Sequence, residues 1–160
     1  EISAYLETVR FLDMKSLRFC DVGKKECGFS YRRSIFQETP AVVLSGIFKF
    51  PLAKSPEEVL NTINGFIRRR KDTQPVDTKN AGSMFTNPEG DYAARLIEAA
   101  GWKGKKVGDA QVSTLHANFI INRGHARASD LRELMSQIQK SVLEKFFVEL
   151  KPEVRFMGEF

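Results

Sequence analysis

Up to Phe50 the apolar positions tend to alternate with polar ones, and after it the period changes. "TVRFLD" and "SLRF" are short alternating segments, and "AVVLSGIFKF" (Ala41 to Phe50) sets Val, Leu, Ile and Phe at near-alternate positions. Alternation places successive side chains on opposite faces of an extended chain, so these segments predict strands, the last halted by Pro51. Between them "CGFSYRRSIF" is rich in aromatic residues. Read as extended, it sends Arg32 and Arg33 to opposite faces, one toward a cleft and one toward water.

"SPEEVLNTINGFIRRRK" carries the start of a helix. Ser55 suits the N-cap, Pro56 the first helical position, and Glu58 completes a capping box. Val59, Leu60, Ile63, Phe66 and Ile67 form one apolar stripe, expected to be buried. Arg68 to Lys71 close the helix where cations meet the negative end of its dipole. A domain boundary is expected near Pro51 to Ser55, giving domains 1–50 and 51–160. "DYAARLIEAAG" predicts a short helix stopped by Gly101. "VGDAQVS" and "HANFIIN" predict two strands. "ASDLRELMSQIQKSVLEKFF" predicts the longest helix, capped by Ser129, with Leu131, Leu134, Met135, Ile138, Val142 and Phe146 on its buried face. "VELKPEVRFMG" reads as extended. Strands do not simply alternate with helices, so the fold class is α+β.

Composition narrows the function classes. The chain has 160 residues, of which 42% are hydrophobic, enough for a packed core. No apolar run approaches the roughly 18–20 residues that span a bilayer, so no membrane partner is expected. No signal peptide is visible, and a cytoplasmic location is expected. The chain opens mid-pattern without an initiator Met and reads as a piece of a longer protein. Cys20 and Cys27 form no CxxC pair, and His116 and His125 lie far from them, so no metal site is expected. Two reduced, partly buried thiols are the ordinary reading. The net charge of +5 suits anionic partners without choosing among them.

Four stretches carry candidate chemistry. "RRRKDTQP" is a run of cations before a turn: a solvated helix end or, because Arg offers a forked donor set and Lys a mobile charge, a phosphate clamp. Nucleic acid gains little, since no basic stripe or stacking platform accompanies the run. In "NAGSMFTNPEG" the plain reading is a turn leading into a strand. The alternative is a site where Gly82 admits a ligand close to the backbone and Ser83 offers a proton. Serine is a poor acid and can protonate only a strongly basic group, such as an enolate formed in the site. A Ser-His-Asp nucleophile lacks the surrounding GxSxG. Glu149 and Glu153 read as surface charge by spacing alone, His116 as a structural hydrogen-bonder at a strand start, and His125 as a loop residue.

Taken in order, "YRRSIF", "RRRKDTQP", "NAGSMFTNP", "LIEAAGWKGKKVGDAQVSTLHANFIINRGHA" and "KPEVRFMG" resemble the UDP-N-acetylenolpyruvoylglucosamine reductase family. The resemblance implies an enzyme of peptidoglycan synthesis, in which NADPH reduces bound FAD. The flavin then passes a hydride to UDP-N-acetylglucosamine enolpyruvate. It implies Ser83 as proton donor, Arg32 as the arginine that holds the substrate carboxylate, and Glu153 as the catalytic glutamate. It implies Arg68, Lys71, Gln74, Asn80, Gly82, Asn87 and His116 as substrate- or cofactor-binding residues. The path from Asn87 to "LIEAAGWKG" is similar to the family's compact subclass. Thr86 stands where Lys is frequent, and Leu115 where a charged residue is common. The family's Gly-rich flavin-binding loops are missing. The resemblance thus implies the C-terminal portion of an FAD-binding α+β domain, followed by an α+β substrate-binding domain. Such a piece would be inactive alone and would need the N-terminal flavin-binding region as its partner. A non-catalytic UDP-sugar-binding module derived from that enzyme is the alternative.

Overall fold

The computed structural model describes residues 1–53 and 55–158. Lys54, inside the expected boundary, and Phe160, the end of the expected second domain, lie outside the described residues. The chain divides into two compact units, Glu1–Glu58 and Val59–Phe160.

The first unit is built on an antiparallel sheet of order β2-β1-β3, from β1 (Leu6–Asp13), β2 (Arg18–Gly23) and β3 (Ala41–Phe48). Leu6, Val9 and Phe11 of β1 are buried. Leu6 and Val9 are three apart, which strict alternation would send to opposite faces. A register shift between Leu6 and Thr8 restores them to one side. They pack with Cys27, which is fully buried, and with Val22 and Phe36. Both cysteines are free. Asp13 closes the β1–β2 hairpin by accepting the N–H groups of Lys15 and Ser16, each at 2.8 Å.

The second unit holds a four-stranded antiparallel sheet of order β4-β7-β6-β5. Its strands are β4 (Asn80–Ser83), β5 (Lys106–Val107), β6 (Ala110–Val112) and β7 (Phe119–Asn122). Helices α2 (Ala93–Ala99) and α3 (Ala128–Phe146) complete its core with Leu96, Ile97, Leu134, Met135, Ile138 and Val142, against Met84, Phe85, Val112 and Ile120. Of the expected α3 stripe, Leu134, Met135, Ile138 and Val142 are buried while Leu131 and Phe146 are half-buried against the core, and Gly101 ends α2 at φ +80°.

Three local expectations are corrected. "VGDAQVS" is a hairpin, because Gly108 at φ +53° lets β5 fold back on β6. Helix α3 is capped two residues earlier than Ser129, at Arg127: Asp130 accepts the Arg127 N–H at 2.8 Å, and Ser129 falls within the first turn. Helix α1 (Pro56–Thr73) does start at the Ser55 cap, whose hydroxyl accepts the Glu58 N–H at 3.2 Å. Its apolar stripe is not buried, however. Val59, Leu60, Ile63, Phe66 and Ile67 are 41% to 67% exposed. Periodicity reports that a helix has an apolar face, not that the same chain covers it.

Candidate functional site

The last two turns of α1, the loop after it and β4 enclose a cleft of about 680 Å³ within the second unit. Ile67, Arg70, Lys71 and Gln74 line it from the helix, at the i, i+3, i+4, i+7 spacing that shares one face. Val76, Thr78, Asn80, Gly82, Ser83 and Phe119 line the rest. Of the residues singled out in the sequence, Lys71, Gln74, Asn80, Gly82 and Ser83 therefore meet here. Arg70 belongs to the cation run read as a phosphate clamp but is not among the binding residues the resemblance implies, although helical spacing from Gln74 and Lys71 places it with them. Arg68 does not line the cleft. It sits a third of a turn round the helix from Ile67, on the side away from Arg70.

The stretch expected to be a turn is a bulged strand. Asn80 pairs with Ile121 and Ser83 with Phe119, so Ala81 and Gly82 stand opposite the single residue Ile120. In a regular strand Asn80 and Ser83, three apart, would face opposite ways; the bulge brings both to the cleft. Gly82 makes this possible at φ +83°. A Cβ built on it would meet nothing within 4 Å, so backbone conformation rather than crowding demands glycine. Asn80 braces the wall. Its Oδ1 accepts the Gly82 N–H at 2.9 Å, while its Nδ2 donates to the carbonyls of Pro75 and Thr78 at 2.9 and 3.0 Å. One amide thereby ties the end of α1, with its cations, to the strand that carries Ser83.

Beyond Ser83 the chain is held on both sides. The Met84 carbonyl accepts the Glu153 N–H at 2.8 Å, and the Thr86 N–H donates to the Lys151 carbonyl at 2.9 Å. Glu153 is thus fixed beside the residue next to Ser83. No local signal in the sequence announces that pairing. On the other side the Met84 N–H donates to the Asn118 carbonyl at 2.9 Å. Asn87 does not line the cleft; its Oδ1 accepts the Ala93 N–H at 3.0 Å at the start of α2.

Arg32 belongs to the first unit. The expected extended segment is a tight turn: Ser30 and Arg33 exchange N–H···O=C bonds, both 3.1 Å. Arg32 occupies the left-handed region at φ +59°. The turn forces that conformation, and Arg32 and Arg33 are not on opposite faces of a strand. Arg33 pairs with Glu38 at 3.0 Å. Arg32 lies over the Tyr31 ring, 6.0 Å from its centroid.

His116 stands behind the cleft, edge-on to Phe119 with ring centroids 4.8 Å apart. Its Nδ1 accepts the Asn118 N–H at 3.3 Å, which the neutral ring does well. Burial, aided by Lys103, pushes its pKa below the ordinary 6.5. Below that value the unfolded chain binds more protons than the folded one, so the neutral ring's contribution is complete above it and lost as pH falls. In chemical unfolding followed by the single Trp102, stability should drop between about pH 7.5 and 5, and drop less in His116→Gln. Equal slopes in the two proteins would show that His116 is not coupled to folding.

Comparison with known proteins gives a consistent result. The sequence profile of the UDP-N-acetylenolpyruvoylglucosamine reductase C-terminal domain matches residues 74–157. A UDP-N-acetylenolpyruvoylglucosamine reductase of Prochlorococcus marinus is 39% identical over 153 residues, covering 96% of this chain and 52% of the relative. That of Caldicellulosiruptor saccharolyticus is 42% identical over 162 residues, covering 100% of this chain and 52% of the relative. The crystal structure of the Thermus caldophilus UDP-N-acetylenolpyruvylglucosamine reductase superposes with a TM-score of 0.72 at 36% identity, covering 94% of this chain and 53% of the other. The chain spans about half the length of these relatives. With a profile match over more than half its residues, the chain belongs to the UDP-N-acetylenolpyruvoylglucosamine reductase family, residues 74–157 being that family's C-terminal domain.

Proposed function

We propose that the protein containing this chain reduces UDP-N-acetylglucosamine enolpyruvate to UDP-N-acetylmuramate, and that this chain supplies the substrate cleft and the proton. The observation that carries the reading is the bulge at Gly82, which turns Ser83 into a cleft shared with Arg70 and Lys71. The names of the relatives support it. The two cations and Gln74 suit a diphosphate, with Phe119 and Ile67 as an apolar floor.

FAD, when bound, supplies the hydride that NADPH provides. The first unit does not by itself fit that group. Its hollow of about 260 Å³ is walled by Leu6, Val9, Phe29, Phe36, Val43 and Phe48 and has no charged lining for a diphosphate, and in another, of about 330 Å³, Arg10 is already paired with Asp21 at 2.9 Å. The reading therefore assigns flavin binding largely to residues outside this chain. What this chain does is handle charge and protons. Reduction of the enolpyruvyl double bond leaves an electron pair conjugated with the substrate carboxylate. Arg32 would hold that carboxylate and stabilise the growing charge. Ser83 would donate its hydroxyl proton to the basic carbon, a task a weak acid can perform only for such a base. Glu153, fixed beside Met84, would serve as the catalytic glutamate next to Ser83.

Binding of the substrate to this chain tests the cleft without any flavin. Calorimetry should detect UDP-N-acetylglucosamine enolpyruvate binding that weakens with salt, while the solution stays colourless and oxidises no NADPH. The double variant Arg70→Ala/Lys71→Ala should weaken it by roughly ten- to a hundredfold, the effect of removing hydrogen bonds to charged groups. Binding indifferent to both residues would remove the cleft from the reading. Substrate binding by a full-length protein that never oxidises NADPH would favour the non-catalytic module instead.

A further inference from the structure

Asn118 is buried, 4% exposed, in the second unit. Its side chain makes two bonds to one residue: Oδ1 accepts the Phe85 N–H at 3.0 Å and Nδ2 donates to the Phe85 carbonyl at 2.8 Å. The topology explains why a side chain is needed there. Phe85 faces Pro152 as an isolated antiparallel bridge, and the bonds to that segment fall on its neighbours, from the Glu153 N–H to the Met84 carbonyl and from the Thr86 N–H to the Lys151 carbonyl. The Phe85 N–H and carbonyl therefore point the other way, toward β7. There the ladder that pairs Ser83 with Phe119 has ended, since β7 begins at Phe119. The Asn118 amide stands in for the missing strand, offering an acceptor and a donor at the spacing of a peptide group.

We propose that Asn118 is a positioning residue that fixes Ser83 and Glu153 relative to one another; its link to catalysis rests on the function proposed above. The carbonyl that holds Glu153 belongs to Met84, one residue from Ser83, and the segment Met84–Phe85 carries it. That segment is clamped on one side by Asn118, through main chain and side chain, and on the other by Lys151 and Glu153. Without the clamp, two buried main-chain groups lose their partners and the strand can rotate, carrying the Met84 carbonyl and Glu153 with it. Asn118 touches neither the cleft nor, on this reading, the substrate, so its loss acts through geometry.

The test uses the full-length enzyme with Asn118→Ala and Asn118→Asp; the second keeps the side-chain volume and one acceptor should the first fail to fold. Flavin reduction by NADPH should stay near the wild-type rate, while reoxidation by the enolpyruvyl substrate slows by roughly ten- to a hundredfold, the scale of a small misplacement of reacting groups. Amide hydrogen exchange should quicken at Phe85 and Glu153 and remain unchanged at Leu134 and Ile138 in α3. Parallel loss in both half-reactions with uniformly faster exchange would make Asn118 merely structural and overturn the proposal, as would no change in either. If the wild-type enzyme transfers nothing to the substrate, the proposed function fails and exchange alone decides. Selective opening at Phe85 and Glu153 would then uphold the clamp, and any other pattern would sink it.

Discussion

Replacing Ser83 by alanine in the full-length enzyme is expected to leave flavin reduction by NADPH nearly intact. Reoxidation by the enolpyruvyl substrate should slow by about 10²–10⁴-fold, the range that a positioned proton donor contributes. The asymmetry follows from when the hydroxyl is used. On the proposed role it gives up a proton only after an electron pair has accumulated on the substrate carbon, so only the second transition state needs it. Stopped-flow spectroscopy of the two half-reactions reads this directly. Ser83→Ala lies in a strand whose main-chain pairing with Phe119 does not use the hydroxyl, so the fold should survive. Equal slowing of both half-reactions would be incompatible with the proton-donor role.

The second large effect is expected at Arg32, where chemistry and backbone can be separated. On the proposed role, Arg32→Ala and Arg32→Gly should both cost about 10²–10³-fold in turnover, the usual loss when a donor to developing negative charge is removed. They should differ in stability. The left-handed conformation at φ +59° costs a residue with a Cβ roughly 1–2 kcal/mol. Glycine escapes that cost but loses about 0.5–1 kcal/mol through its freer unfolded chain. Arg32→Gly should therefore be more stable than Arg32→Ala by up to about 1.5 kcal/mol, with both lacking the contact to Tyr31. Thermal melts of the pair decide it. Equal melting temperatures would mean the turn is unstrained, and full turnover in either variant would remove Arg32 from the site. Strain kept at an arginine where glycine would be easier is the kind of cost retained at functional positions.

Much of the fold could be read from the sequence because its signals are local. The Ser55–Glu58 spacing marked the start of α1, and the α3 stripe from Leu134 to Val142 marked a buried face. The errors share a cause: a local pattern was asked for information held elsewhere. Aromatic residues around Tyr31 suggested a strand, but two bonds between Ser30 and Arg33 close a turn. Gly108 broke what read as one strand into a hairpin. The α1 stripe was recognised correctly as apolar, while what covers it is not a property of the helix. At the candidate site, the chemistry of a serine and the order of the motifs point to Ser83, yet the bulge that aims it depends on pairing opposite Ile120. Glu153 read as surface charge because its partner, Met84, is far away along the chain. Arg70 is not among the binding residues the resemblance implies, although helical geometry alone places it beside Gln74.

The bulge at Ala81–Gly82 changes what a motif search should count. A strand reverses the facing of its side chains with every added or lost residue, so the orientation of Ser83 is a matter of parity. Removing Ala81 would also remove the bulge, and the two changes cancel: Asn80 and Ser83, then two apart in a regular strand, would still share a face, whereas straightening the strand at its full length would part them. Exchanging Ala81 for another residue would preserve the bulge and hence the aim. What aims the hydroxyl is thus the left-handed Gly82 that lets the extra residue bulge, so a motif that retains the serine without that glycine loses the aim.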